Sequence, residues 1–180
     1  MSAHPGTAPS FAPLRRAARR WLWSAAGCGL IHAACSAYWA FGGQWLANTV
    51  GQWALDWYRS QPATAMAALL VISAVKVVVA IGPVVNEHRP LPGYRWWRAL
   101  CWLGGAVLLL YGLANAVGAW LVLTGAVSST ASSDRPALIG HAVLWDPLFA
   151  LWGAFLLAGR NGLVPRTHAA VGVVRRHSIG

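Results

Sequence analysis

Long apolar segments alternate with short polar ones along the chain. Four of the apolar segments are about as long as the roughly 20 residues that an α-helix needs to cross a hydrocarbon core of about 30 Å. They are residues 21–41, 63–81, 100–123 and 137–158. The segments between them contain Pro, Gly, Arg or Ser, as in GPVVNEHRPLPGYRWWR and TGAVSSTASSDRPA. The pattern predicts an all-α protein, a bundle of four transmembrane helices.

The polar connection between the first two predicted spans has a periodicity of its own. Its tryptophans recur at helical spacing, and a ladder of polar residues lies one position before them. The tryptophans are Trp45, Trp53 and Trp57, and the ladder is Gln44, Asn48, Gln52 and Asp56. This predicts a short amphipathic helix in the outer membrane interface. We interpret it as an aromatic anchor at headgroup level, and the alternative is a lid over the bundle.

The composition is that of a membrane protein. Hydrophobic residues make up 57% of the chain and charged residues 10%, against about 25% charged residues in ordinary soluble domains. The net charge of +10 does not indicate a nucleic-acid partner, because the basic residues flank the predicted spans and meet lipid headgroups there. The predicted partners are therefore membrane lipids.

The basic residues also predict the orientation. Only Arg59 and Arg135 fall in the other two loops, whereas eleven arginines lie on one side: Arg15, Arg16, Arg19, Arg20, Arg89, Arg95, Arg98, Arg160, Arg166, Arg175 and Arg176. By the positive-inside rule we expect both termini of this multi-pass protein to be cytoplasmic. We expect basic tails over residues 1–20 and 160–180 around a transmembrane domain over residues 21–159.

The first span and the cysteines suggest neither cleavage nor metal binding. The apolar part of the first span is longer than the 7–15 residues of a signal-peptide core, so we expect an uncleaved helix. Cys28, Cys35 and Cys101 lie within spans and show no CxxC spacing. The sequence therefore predicts no disulfide frame, metal site or cofactor.

Each predicted span carries one polar side chain near its middle. At a rise of 1.5 Å per residue, Asp146 lies roughly 15 Å, His32 about 14 Å and Asn115 roughly 12 Å below the outer helix ends. Lys76 lies deeper, but its side chain leans outward to the same level. Lipid cannot hydrogen-bond such groups, so they should face the bundle interior. We predict that Lys76 pairs with Asp146, and that His32 and Asn115 complete the network.

Such a network would hold a mobile proton in an apolar cavity, which suits a proton relay or an acid catalyst. The candidate catalytic residues are therefore Asp146, Lys76 and His32. The candidate ligand-binding residues are Ser36, Trp39, Asn115, Trp145 and Trp152. The structural alternatives are a Lys–Asp pair that only fixes helix register, and a histidine and an asparagine that only join helices.

Three further features bear on the third and fourth spans. Pro147 removes a backbone hydrogen bond and restricts the preceding residue, so we expect a kink at Asp146. His141, about 7 Å below the outer surface, is interpreted as an interfacial residue. Glycines in the third span predict close helix contacts rather than ligand sites; they are Gly104, Gly105, Gly112 and Gly118.

Several of these landmarks resemble a known family. The sequence GLIHAACSAYWAFGGQWLANTVGQWALD at residues 29–56 combines with RWWRALCWLGGAVLLLYGLANAVGAWLVLTG at 95–125 and GHAVLWDPLFALWG at 140–153. The pairing of H-x(6)-W-A-x-G-G with W-D-P-x-F is similar to a small bacterial four-helix membrane family catalogued as a domain of unknown function. The resemblance implies a four-span fold in the inner membrane and carries no activity.

Two classes of function remain open at this point. The first is an intramembrane enzyme or binder that acts on a lipid-phase molecule such as an isoprenoid or a quinone. In it, Asp146 would donate a proton and the tryptophans would form apolar, cation-stabilising walls. The second is a non-catalytic protein, either a subunit of a proton-coupled carrier or a stabilising partner of a larger complex. The pattern leaves the oligomeric state and the substrate open.

Overall fold

The computed structural model describes residues 12–88, 93–128 and 134–161, and within these ranges the regular structure is entirely helical. The helices are α1 (Ala12–Ala40), α2 (Gln52–Ser60), α3 (Pro62–His88), α4 (Tyr94–Leu123), α5 (Arg135–Gly140) and α6 (Asp146–Asn161). A short 3-10 turn, Ala47–Thr49, precedes α2, and a π-helical segment, His141–Trp145, joins α5 to α6. The all-α prediction is confirmed, and α2 lies where the amphipathic helix was expected.

Three helical segments are long and apolar enough to cross a membrane: Pro62–His88, Trp96–Leu123 and Arg135–Asn161. The last of these comprises α5, the π-helical segment and α6. These three apolar helices indicate a membrane protein. Of the four predicted spans, three therefore qualify. The helix α1 is long enough, with 29 residues, but its composition is not apolar enough. Alanine, glycine, serine and tryptophan take the places that valine and leucine hold in α3 and α4.

α1 lies in the middle of the helix array. It packs against α3 on one side and α6 on the other, and α6 packs against α4, so the order across the bundle is α3, α1, α6, α4. Its buried positions recur every three or four residues, as expected for a helix face in contact with neighbours. They include Ala18, Leu22, Ala25, Gly29, His32 and Ser36. Because alanine, glycine and serine predominate among them, neighbouring helices approach closely, which also explains the low apolarity of α1.

The helix bounds differ from the predicted domain boundaries at both ends. α1 begins at Ala12, so Arg15 and Arg19 lie in its first turns rather than in a tail. Arg160, expected to begin the second tail, lies in the last turn of α6, is 1% exposed and donates from Nη2 to Cys101 Sγ at 3.4 Å. The rest of that tail, with Arg166, Arg175 and Arg176, lies outside the described residues, as does Arg89.

The start of α1, the end of α3, the start of α4 and the end of α6 lie at one end of the bundle, here called the arginine end. Arg19 Nη2 lies 2.8 Å from His88 Nε2, which joins α1 to α3. Arg160 joins α6 to α4 through Cys101. The opposite end, which carries the 3-10 turn, α2 and α5, is called the loop end.

Glycines bring α4 and α6 into backbone contact. A Cβ atom on Gly112 would overlap the Asp146 carbonyl oxygen and the backbone of Ala150, and one on Gly153 would overlap the Gly105 carbonyl. The prediction of close contacts is therefore confirmed for Gly105 and Gly112. It is wrong for Gly104 and Gly118, where an added Cβ would meet no atom within 4 Å. Those two lie away from the α4–α6 contact.

This difference gives a matched pair of substitutions in one helix. Gly112→Ala should lower the free energy of unfolding by about 1–3 kcal/mol, because the methyl group has no room against α6. Gly104→Ala should leave it unchanged or raise it by up to about 1 kcal/mol, because alanine favours a helix over glycine. Unfolding of both variants in mild detergent would be followed by circular dichroism. Equal effects would contradict the close α4–α6 contact.

Candidate functional site

A cavity of about 260 Å³ lies at the loop end between α1, α3 and α2. We call it the α2 cavity. Its walls are mainly aromatic and aliphatic, and include Trp39, Leu55, Trp57, Tyr58, Leu69 and Ile72. Ser36 and Lys76 also line it. The cavity is partly open, so it is an apolar recess with a small polar patch contributed by α1 and α3.

The polar patch is a short hydrogen-bond chain. Lys76 Nζ donates to Ser36 Oγ at 2.9 Å, and Ser36 Oγ donates to the His32 carbonyl oxygen at 3.1 Å. The Lys76 nitrogen also lies 5.8 Å from the centre of the Phe149 ring. The Ser36 hydroxyl therefore accepts a hydrogen bond from the amine and donates its own proton to the backbone of α1. Lys76 is the only lysine in the chain, and its remaining N–H bonds are the donors left at this patch.

The 3-10 turn and α2 form the cover of the cavity. Trp39 Nε1 donates to the Trp45 carbonyl oxygen at 2.9 Å, and the backbone N–H of Trp45 donates to the Tyr38 hydroxyl at 3.4 Å. Trp53 and Trp57 both line the cavity, although Trp53, like Trp45, keeps 69% of its surface exposed. The geometry therefore fits the lid alternative for α2, while two exposed indoles fit the anchor interpretation.

Asp146 lies in a separate polar cluster. It is 1% exposed, and its Oδ2 lies 3.0 Å from His141 Nδ1. His141 Nε2 lies 3.2 Å from the Val50 carbonyl oxygen. That carbonyl can only accept, so Nε2 carries a proton. The contact between His141 and Asp146 then holds one further proton, either on the imidazole or on the carboxyl group, and the pair is neutral overall in both cases.

The same cluster fastens the loop before α2 to the fourth span. Trp145 Nε1 donates to Thr49 Oγ1 at 3.0 Å and lies 3.2 Å from the Thr49 carbonyl oxygen. A Cβ on Gly140 would overlap the Thr49 backbone, so the two segments touch. Farther along, Asp134 Oδ2 accepts from the Gln52 N–H at 2.7 Å, and its Oδ1 accepts from the Ala137 N–H at 3.3 Å. Asp134 thus caps α5 and holds the start of α2.

Pro147 produces the expected irregularity. The π-helical segment His141–Trp145 ends directly before Asp146 and Pro147. Because proline has no N–H, the carbonyl oxygen four residues earlier loses its α-helical donor, and a wider turn accommodates the loss. The irregularity is a π-helical turn, and Asp146 itself keeps α-helical dihedrals, so the kink at Asp146 stays a prediction.

The predicted pairing of Lys76 with Asp146 is wrong. Among the described residues Asp146 has His141 as its ionisable partner, and Lys76 donates to Ser36. In an α-helix, residues five positions apart point about 140° away from each other, so sequence spacing gave no reason to join His141 to Asp146. The π-helical turn brings residues with that spacing onto the same side. His141, interpreted from the sequence as an interfacial residue, keeps 38% of its side chain exposed and is at the same time the partner of the buried Asp146 carboxyl group.

The other predicted site residues separate into two groups. Ser36, Trp39 and Lys76 line the α2 cavity, whereas His32, Asn115, Trp145 and Trp152 do not. Asn115 is exposed and donates to the Tyr111 carbonyl oxygen of its own helix at 2.9 Å, so its predicted place in the network is wrong. Packing of α4 against α6 turns that face outward.

His32 and Trp152 belong to the packed interior. The His32 ring is 4% exposed and stacks on Phe149 with ring centres 3.9 Å apart. Its Nε2 has no hydrogen-bond partner within the described residues. Trp152 is 2% exposed and packs against Gly29. Within the described ranges, no group of three or more His, Cys, Asp or Glu residues is placed to hold a metal ion.

These features define a class, a helical membrane protein with an apolar cavity under a short covering helix. The chain belongs to the family described as "Protein of unknown function (DUF3995)", whose sequence profile matches residues 29–156. The match includes both landmarks of the resemblance, from His32 to Gly43 and from Trp145 to Phe149. No curated protein and no solved structure matches the chain.

Double-mutant cycles test the two polar clusters. His141→Gln and Asp146→Asn should show a coupling energy of about 0.5–3 kcal/mol in unfolding, because each substitution changes the hydrogen-bond partner of the other residue. Lys76→Met and Asp146→Asn should instead add to within about 0.5 kcal/mol, since the two groups share no contact. Unfolding free energies of all variants in one detergent provide the measurement. A larger coupling for the Lys76 cycle would contradict the separation.

Proposed function

We propose that this protein binds a lipid-phase molecule in the α2 cavity, with the polar head of the ligand on Lys76 and its apolar part against the aromatic walls. The observation that carries the proposal is the position of the only lysine of the chain in a mainly apolar, partly open recess. Ligand pockets combine such walls with a few well-placed polar groups. An isoprenoid-like or quinone-like molecule has the corresponding shape.

The hydrogen bonding of Lys76 supports a ligand that accepts hydrogen bonds. An amine carries at least two N–H bonds, and Ser36 accepts one of them at 2.9 Å. The hydroxyl of Ser36 is itself engaged with the His32 carbonyl oxygen. An N–H of Lys76 therefore remains for a carbonyl, carboxyl or phosphoryl oxygen of a ligand.

The size of the cavity supports a ligand that is held by one end. A volume of about 260 Å³ is at the lower limit of typical pockets for small molecules, about 300–1,000 Å³. It accommodates a headgroup and the first part of a chain. The rest of the chain would leave through the opening and lie in the lipid.

We propose binding rather than acid–base catalysis at this cavity. Asp146 and His32, two of the three candidate catalytic residues, do not line it, and both are almost fully buried. A proton donor must come within hydrogen-bond reach of the group that it protonates. Asp146 instead contributes through His141, which is bonded to the loop that precedes α2.

We further propose that α1 crosses the membrane as a fourth span, and that the arginine end faces the cytoplasm of a cell with an inner membrane. α1 packs against two apolar helices along its length. Arginines gather at the arginine end, whereas Arg59 and Arg135 are the arginines of the loop end. This distribution supports cytoplasmic termini by the positive-inside rule.

Co-purification tests the binding proposal. The protein would be extracted in mild detergent, and bound lipids would be identified and counted by mass spectrometry. We expect one lipid-phase molecule per chain in the wild type, and at least a tenfold loss in Lys76→Met because the headgroup contact is gone. Trp57→Ala should also reduce the occupancy by removing part of the wall.

Trp96→Ala is the matched control for Trp57→Ala, because Trp96 is 79% exposed and lies outside the cavity lining. It should leave the bound lipid unchanged. A wild type without a stoichiometric lipid, or equal occupancy in all three variants, would reject the proposal. Protein partners recovered in place of a lipid would favour a stabilising role in a complex.

A further inference from the structure

The polar patch of the α2 cavity offers hydrogen-bond donors and no counter-charge. Among the described residues that line the cavity, Lys76 carries the only charge. The described lining includes neither aspartate nor glutamate. Ser36 accepts from the amine and donates its proton to α1. The patch therefore lacks a negative group of its own.

The acidic residues of the chain are all engaged or distant. There are four of them, Asp56, Glu87, Asp134 and Asp146, and all lie within the described ranges. Asp56 forms an ion pair with Arg59 at 3.2 Å, Asp146 contacts His141, and Asp134 caps α5. Glu87 is in the last turns of α3 at the arginine end. No ion pair to Lys76 is found among the described residues.

We propose that the ligand of the α2 cavity is an acidic amphiphile, whose carboxylate or phosphate binds the amine of Lys76. This inference rests on the proposed function and narrows its ligand. A buried amine and a buried acid each lose hydration, and each is stabilised when the other supplies the opposite charge. A neutral quinone or an alcohol would leave the amine without that counter-charge.

Geometry around the amine favours a charged pair. The face of the Phe149 ring is 5.8 Å from Lys76 Nζ, which suits a cation. The mainly apolar walls lower the dielectric constant around the pair, so that its electrostatic interaction is stronger than in water. Charge-assisted hydrogen bonds are about twice as strong as neutral ones, and the acid should therefore be preferred over a neutral analogue of the same chain.

Matched pairs of probes test the inference. Oleic acid and methyl oleate differ only at the carboxyl group, and farnesyl phosphate and farnesol differ only at the phosphate. Binding of each to delipidated protein would be measured by native mass spectrometry. We expect the wild type to bind the acidic member at least about tenfold more tightly. The pair with the larger ratio identifies the source of the acid, a carboxylate or a phosphate.

Three variants show whether Lys76 causes the preference. In Lys76→Met the two members of each pair should bind about equally, and in Lys76→Arg the preference for the acid should persist. Arg59→Gln removes a positive charge from α2 at an exposed position outside the cavity lining, and it should leave the preference unchanged. If Lys76→Met does not fold, the wild-type ratios and the Lys76→Arg ratios still decide the question.

The outcomes separate this inference from the proposed function. Equal or tighter binding of the neutral members by the wild type, or a preference for the acid that survives in Lys76→Met, would overturn the acidic ligand while binding itself stands. A wild type that binds none of the four probes and carries no co-purified lipid would reject both.

Discussion

Polar groups inside an apolar helical bundle must find their hydrogen-bond partners within the protein, because hydrocarbon offers none. This constraint organises the loop end of the molecule. On one side Lys76 donates to Ser36, which donates to the backbone of α1. On the other side Asp146 holds His141, which reaches the Val50 carbonyl oxygen. Each chain of hydrogen bonds joins two segments that are distant in sequence, so satisfying the buried groups also fixes the tertiary structure.

The second of these chains links the buried carboxyl group to the cavity without placing it there. His141 and Trp145 both bind the segment between the 3-10 turn and α2, and α2 covers the cavity. Asp134 holds the start of the same helix through the Gln52 N–H. Asp146 thus acts as a positioning residue for the cover, whereas Lys76 and Ser36 face the interior of the cavity. One polar cluster holds the cover of the cavity, and the other lines its interior.

The central place of α1 explains why it is the least apolar of the long helices. α3 and α4 expose aliphatic side chains, such as Val78 at 63% and Leu110 at 66%, as expected for surfaces in contact with lipid. α1 lies between α3 and α6, and its small buried residues let both approach. Its histidine, serine and alanines suit contact with protein rather than with lipid. The mean hydropathy of α1 is therefore lower than that of the helices that expose aliphatic side chains.

The sequence by itself determined the helical class, the places of the long helices, the amphipathic α2, the irregular turn before Pro147 and two of the four glycine contacts. These depend on local periodicity and on the chemistry of single residues, which the chain carries without any fold. Tertiary structure alone decided which polar groups meet. The rotation of each helix about its axis turned Asn115 outward and Lys76 toward the α2 cavity, and the π-helical turn joined His141 to Asp146. Hydropathy does not encode that rotation, because it follows from packing against neighbours that lie far away along the chain.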